Sequence, residues 1–276
     1  MQIMSLVIVS QQMTIYLGFS LLIIGLIGNS LNVIIFSVVR RYRRTPCTFY
    51  FLISSITNNL FLFINLLSRI ISSGYGNDLT RTSTIWCKTR QYFITTLSLF
   101  AFTCSCLTTI DQYLITSSNV DFRRLSHLKC SHRIGLISFV ICCLHGIPVL
   151  VYFNISNPSG FCTNKNNLFA IYIPIYVLGL TCLIPILIMI FFGYLTYRNV
   201  HQRRMLVEQQ IDRQLIRITL IQIFLVIFAI GPYGIYNIYS LITSQLTKTT
   251  IRLSIESFIS TIVTLIVYIY YVVRIK

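Results

Sequence analysis

Charge is scarce in this chain. Only 10% of its 276 residues are charged, while 55% are hydrophobic and the mean hydropathy is +0.76. A soluble domain carries about one quarter charged residues, so one soluble core is excluded and an integral membrane protein is indicated. Acid is scarcer still. The six carboxylates are Asp78, Asp111, Asp121, Glu208, Asp212 and Glu256, and none lies at the centre of an apolar run. This argues against a transporter or channel, which places ionisable groups near the bilayer midplane. No internal repeat is visible, which lowers the case for a transporter built from two related halves. Nine cysteines are present but no paired CxxC motif accompanies them, so no metal site is expected. His127, His132, His145 and His201 are not grouped with a nucleophile, so neither an enzyme nor a cofactor is expected. No Lys or Arg precedes Arg40, and no small-residue cleavage site is evident. The first apolar run therefore reads as an uncleaved anchor rather than a signal peptide.

What the chain does have is seven long apolar runs: Met13–Val39, Cys47–Ile71, Trp86–Ile115, Arg133–Phe153, Leu168–Tyr197, Arg213–Ile242 and Ile251–Val273. Each is long enough for a helix to cross the hydrocarbon, which takes about 17–25 residues. Continuous runs do not suit a barrel, whose strands alternate in polarity. The fold expected is an all-α membrane protein, a seven-transmembrane helix bundle. No loop could fold separately, so residues 1–276 form a single domain.

The net charge of +16 and pI of about 9.7 invite a nucleic-acid reading. The placement of the cations points elsewhere, because they cluster in the short gaps between runs. Alternate gaps and the C-terminal end hold 15 Lys and Arg on one side, including Arg40, Arg41, Arg43 and Arg44, against 7 on the other. The positive-inside rule then puts the N-terminus outside, the C-terminus in the cytoplasm, and the protein in the plasma membrane as a multi-pass chain. Asp111 becomes cytoplasmic, while Cys87 and Cys162 face the oxidising side.

Several residues within this frame form a pattern. Gly28-Asn29 lies in span one and Asn58 in span two. Trp86-Cys87 opens span three and Asp111-Gln112-Tyr113 closes it, with Asn119-Val120 just beyond. Pro148, Pro185 and Pro232 lie in spans four, five and six, and Tyr268 lies in span seven. Together these resemble the rhodopsin-like G protein-coupled receptors over almost the whole chain, and most of all the invertebrate neuropeptide receptors of the FMRFamide-like kind.

The resemblance implies roles. Cys87 and Cys162 would form the disulfide that holds the second outer loop over the pocket. Asn29 would face the bundle, and Asn58 stands where relatives have an aspartate. Asp111-Gln112-Tyr113 matches the Asp-Arg-Tyr triplet with Gln in place of Arg, and Asp212 would be its acidic partner at the base of span six. Val120 would enter the G protein, and Tyr268 would serve as the tyrosine of the Asn-Pro-x-x-Tyr motif. Pro185 and Pro232 would act as hinges. Lys276 follows so closely that no eighth helix or tail is expected.

Ligand contacts are expected from Tyr92, Ile94, Tyr233, Asn237, Arg252 and Glu256. Taken singly, Tyr and Asn at the mouth read rather as interfacial anchors, and Arg252 and Glu256 as an i,i+4 pair. Asn154-Ile155-Ser156 is a glycosylation acceptor motif. The function implied is a receptor that passes binding of an extracellular ligand, a peptide, through the lipid bilayer to a heterotrimeric G protein. A receptor-like protein that binds without coupling, and a small-solute transporter, are the alternatives.

Overall fold

The computed structural model describes residues 2–40, 42, 45–156, 160–164, 166–202, 210–243 and 246–273, with the backbone alone for residues 2, 3, 5, 167, 202 and 210–215. Seven helices long and apolar enough to cross a membrane make up the bundle: Leu6–Val38, Pro46–Gly74, Thr84–Thr116, Leu128–Tyr152, Leu168–His201, Ile216–Ile242 and Thr250–Val272. Span one belongs to a longer helix that begins at Gln2, well before the expected Met13. Polar residues there lower the hydropathy without stopping the helix, and Ser10 Oγ donates to the Val7 carbonyl at 2.8 Å.

Caps set several helix starts. Span three begins at Thr84 because the Ser83 hydroxyl accepts the Trp86 N–H at 3.3 Å. The Asn166 side chain accepts the N–H groups of Leu168 and Phe169 at the head of span five, and Thr249 caps span seven. Each cap satisfies backbone donors that the first turn leaves open. Inside the spans, hydroxyls bond back to their own helix: Thr103, Thr108 and Thr109 donate to the carbonyls four residues earlier at 2.8–2.9 Å. Hydroxyls bonded in this way enter hydrocarbon without being orphaned.

Spans two and five are not uniform. Span two widens at Leu62–Leu66 and again at Ile70–Gly74, where N–H groups reach carbonyls five residues back, as from Leu67 to Leu62. Span five widens at Val177–Leu183, just before Pro185. Such wide turns rotate the side chains beyond them and are frequent at functional sites.

The buried core runs along the bundle axis through Leu62, Leu66, Ala101, Met189, Ala229 and Ile230. Side chains such as Ile23, Ile24, Leu136 and Ile137 point outward, as hydrocarbon-facing positions should. Span seven lies against span one at glycine. A Cβ on Gly25 would stand 2.5 Å from Leu62 Cδ1 and 3.0 Å from Val272 Cγ2. Small residues let membrane helices approach this closely.

The second outer loop forms a two-stranded antiparallel hairpin, β1 (Phe153–Ile155) with β2 (Cys162–Asn164), in which Ile155 faces Cys162. Arg69 and Arg90, which the expected spans Cys47–Ile71 and Trp86–Ile115 already enclose, lie inside spans two and three. They sit about 8–9 Å along the helix from its outer end at 1.5 Å per residue. Span three accommodates Arg90 because its Nε donates to Ser68 Oγ at 2.7 Å and its Nη2 to Asn65 Oδ1 at 3.2 Å.

Candidate functional site

The Cys87–Cys162 disulfide joins the head of span three to β2, with the Cα atoms 5.7 Å apart. It holds the hairpin over a cavity of about 270 Å³ among the outer halves of spans three, five, six and seven, with spans two and four completing the wall. Ile94 and Tyr233 line this cavity as expected, and Phe153 of the hairpin reaches it as well.

The other expected ligand contacts lie elsewhere. The Tyr92 ring turns toward span four, so close that a Cβ on Gly146 would meet its Cε2 at 2.8 Å, and its hydroxyl points at the Cys143 carbonyl, 3.5 Å away. The periodicity of span three explains this, since Tyr92 and Ile94 are two residues apart and face different neighbours. Asn237 donates to its own helix at the Tyr233 carbonyl, 2.7 Å away. Arg252 and Glu256 do not line the cavity. They form a mouth cluster in which Glu256 takes Lys248 at 2.6 Å, Arg252 at 3.0 Å and the Tyr239 hydroxyl at 2.8 Å. This cluster ties the outer ends of spans six and seven together.

Tyr268 is also displaced from its expected place. Its side chain, 1% exposed, lines the cavity instead of the cytoplasmic end of span seven. The reason is register. Asn29 Nδ2 donates to the Tyr271 carbonyl at 2.9 Å, and Val272 lies against Gly25, so Tyr268 stands at mid-bundle height. Its hydroxyl has no hydrogen-bond partner among the described residues.

Another tyrosine of span seven, Tyr270, does bond across the bundle. Its hydroxyl lies 2.6 Å from Ser105 Oγ, which accepts from Gln222 Nε2 at 2.5 Å. Spans three, six and seven therefore meet at one polar junction below the cavity. Sequence reasoning missed Ser105, Gln222 and Tyr270. A glutamine ten residues before Pro232, within an otherwise apolar run, was the available signal.

At the inner end of span three, Asp111 and Gln112 are 4% and 2% exposed. Asp111 Oδ1 accepts from Ser126 Oγ at 2.6 Å, beyond the short helix Val120–Leu125. Gln112 Nε2 donates to Cys47 Sγ of span two at 2.8 Å. Tyr113 packs against Phe122 and Phe192, with centroids 6.3 and 5.5 Å away. Val120 heads the short helix and is half exposed. The side chain of Asp212, the acid expected opposite Gln112, lies outside the described residues.

Asn29 bridges spans one and seven, whereas neither end of the fully buried Asn58 amide finds a partner among the described residues. Pro232 lies inside span six, and Pro185 lies two residues past the wide turn of span five. Asn154 lies in β1, two residues past the end of span four, and its Oδ1 accepts the Ile155 N–H at 2.9 Å.

Comparison with known families gives one decisive match: the family described as 7 transmembrane receptor (rhodopsin family), over residues 28–273. The chain belongs to the rhodopsin family of seven-transmembrane receptors. It is accordingly a receptor and not an enzyme, and a multi-pass protein of the plasma membrane. Such receptors answer an extracellular ligand across the bilayer. No curated protein matches the chain.

Proposed function

We propose that this rhodopsin-family receptor binds an extracellular peptide in the cavity beneath the Cys87–Cys162 hairpin and passes that event to a heterotrimeric G protein by moving span six. The observation carrying the proposal is the continuity between cavity and junction. Ile230 and Tyr268 line the cavity, and the same two helices supply Gln222 and Tyr270 to the Ser105 junction below it. A ligand that favours a different packing of spans six and seven around the cavity therefore changes the geometry at Ser105. That is a population shift driven by differential affinity for two conformations. Proline at 232 supports a hinge role, since it cannot donate to the carbonyl four residues back and leaves the helix one bond short there.

The subfamily reading is a neuropeptide receptor of the FMRFamide-like kind. The test is G protein activation by cells expressing the chain, challenged with a neuropeptide library that includes FMRFamide-like peptides. Activation by a peptide in that library, lost in Cys87→Ser, supports the proposal. Silence to the whole library with normal surface expression contradicts it.

A second reading has one specific observation in its favour. Gln112 occupies the arginine position of the triplet and is held by Cys47 of span two. An amide there forms weaker bonds than a guanidinium, which suits a receptor that binds ligand without coupling. Ligand binding without nucleotide exchange on any G protein would select this reading.

A further inference from the structure

The cavity beneath the hairpin carries no fixed charge of its own. No Asp, Glu, Lys or Arg is among the described residues of its lining. Several of its polar side chains are already committed. Ser98 Oγ donates to the Thr95 carbonyl at 3.1 Å, Thr95 Oγ1 to the Gln91 carbonyl at 2.8 Å, and Thr181 Oγ1 to the Val177 carbonyl at 2.6 Å. Asn65 Oδ1 accepts from Arg90 Nη2 at 3.2 Å, and Arg90 itself is not in the lining. A charged group brought into this space would leave water without meeting a counter-ion in the wall, which is costly.

What the wall offers instead is rings. Phe169, Tyr172 and Tyr176 stand at i, i+3 and i+7 of span five and so share one face. Successive rings lie 5.6 and 6.3 Å apart, with their planes 23° and 24° from parallel. His145 of span four closes against them. Its ring is 4.9 Å from that of Tyr176, and its Nε2 is 3.1 Å from the Tyr172 hydroxyl. Phe153 of the hairpin meets Phe169 edge-on at 6.2 Å. All five residues line the cavity. The Tyr176 hydroxyl donates to the Thr95 carbonyl at 3.1 Å. With the Tyr172 hydroxyl held by His145, both polar tips are taken, and the ring faces and edges are what remains. Aromatic rings pair favourably in offset or edge-to-face geometry at centroid distances of about 4.5–7 Å.

We propose that this stack of rings is an aromatic subsite, and that the receptor's ligand enters the cavity with an uncharged aromatic ring set against Tyr172 and Tyr176. This rests on the ligand cavity proposed above and narrows its occupant to a ring-bearing molecule, either a peptide with an aromatic side chain or a small neutral aromatic compound. At about 270 Å³ the cavity has room for the ring, since an apolar cavity of about 150 Å³ holds benzene. It is smaller than the roughly 300–1,000 Å³ of sites for drug-sized ligands, so one group of a peptide enters, not the whole. An ammonium would also suit ring faces. Here it would find no carboxylate in the wall and a guanidinium bonded to Asn65.

The test is affinity selection on the purified full chain in nanodiscs, read by mass spectrometry. One arm offers a peptide library in which each member is made with phenylalanine, cyclohexylalanine, lysine or aspartate at one varied position. A second arm offers small neutral benzyl amides beside their cyclohexyl twins. Ring-bearing members should be retained about two- to tenfold over cyclohexyl twins, which match them in apolar bulk but lack the π-system. Phenylalanine members should exceed the charged twins about tenfold or more. The arm that yields retained rings distinguishes a peptide side chain from a small compound. Tyr172→Leu should bring the ring-to-cyclohexyl ratio close to one, and Tyr172→Phe should keep it. The thermal midpoint checks the folding of each variant. Phe153→Leu, on the hairpin, should lower the same ratio and serves where Tyr172→Leu is unstable.

Equal retention of rings and cyclohexyl twins, preference for a charged twin, retention of nothing in either arm, or an unchanged ratio in a folded Tyr172→Leu would each overturn the proposal. Peptides retained without ring preference overturn the subsite and leave the peptide reading standing. Rings retained in the second arm alone support the subsite and overturn the peptide reading. Nucleotide exchange is measured separately, and rings retained without G protein activation support the subsite while overturning the coupling reading.

Discussion

Gln222→Leu releases span six from span three. Gln222 Nε2 donates to Ser105 Oγ at 2.5 Å, and that oxygen also meets the Tyr270 hydroxyl. Any conformation that carries the inner half of span six away from span three must break this bond. Hydrogen bonds between membrane helices contribute about 0.6 kcal/mol on average and up to about 1.7. Losing one shifts the equilibrium toward the open arrangement by a factor of about 3 to 18. Leucine is close to glutamine in volume. The substitution also removes Gln222 Oε1, a buried acceptor with no partner among the described residues, so the thermal midpoint should hold. The assay is agonist-free nucleotide exchange on a G protein by the receptor in nanodiscs. While the open state is a minor species, the basal rate should rise by that same factor. Tyr270→Phe should raise it less, because the Gln222–Ser105 bond remains. The double variant should fall short of the sum of the two effects, as expected for side chains sharing one partner. Unchanged or lower basal exchange in a well-folded Gln222→Leu would refute the reasoning.

Other predictions follow from the packing. Cys87→Ser frees the hairpin and should cost about 2–4 kcal/mol of stability, read as a lowered thermal midpoint matched by reduction of the wild type. Gly146→Ala should destabilise by about 1–3 kcal/mol, because the new Cβ would lie 2.5 Å from Thr96 Oγ1 and 2.8 Å from the Tyr92 ring. A wild-type midpoint in that variant would show that spans three and four pack less closely than described. Maleimide should label exposed Cys130 in the folded receptor while sparing buried Cys47 and Cys104, as peptide mapping by mass spectrometry can show. Early labelling of Cys47 would contradict its burial against Gln112.

The bundle was legible in the sequence because a bilayer demands apolar runs of a set length, and the chain supplies them. The Cys87–Cys162 link was legible through the resemblance. Register was harder to read. Tyr268 of the last apolar run was matched to the tyrosine of the Asn-Pro-x-x-Tyr motif by the resemblance. The depth of that run depends on where it meets spans one and two, and Asn29 sets that depth by bonding at Tyr271. The partners of Arg90 were not readable, because Ser68 and Asn65 of span two come into reach only once spans two and three pack. The partners of Gln112 and Asp111 were not readable either. Cys47 and Ser126 come into reach only once spans two and three pack and the short helix after span three folds back.

The account's central claim is that a ligand in the cavity below the hairpin biases span six. The direct measurement is peptide-dependent nucleotide exchange by the wild type and by Ile94→Trp, which fills the cavity from span three. The account predicts a peptide that drives exchange through the wild type and loses potency about tenfold or more in Ile94→Trp at equal surface level. Equal potency in the two receptors would contradict it.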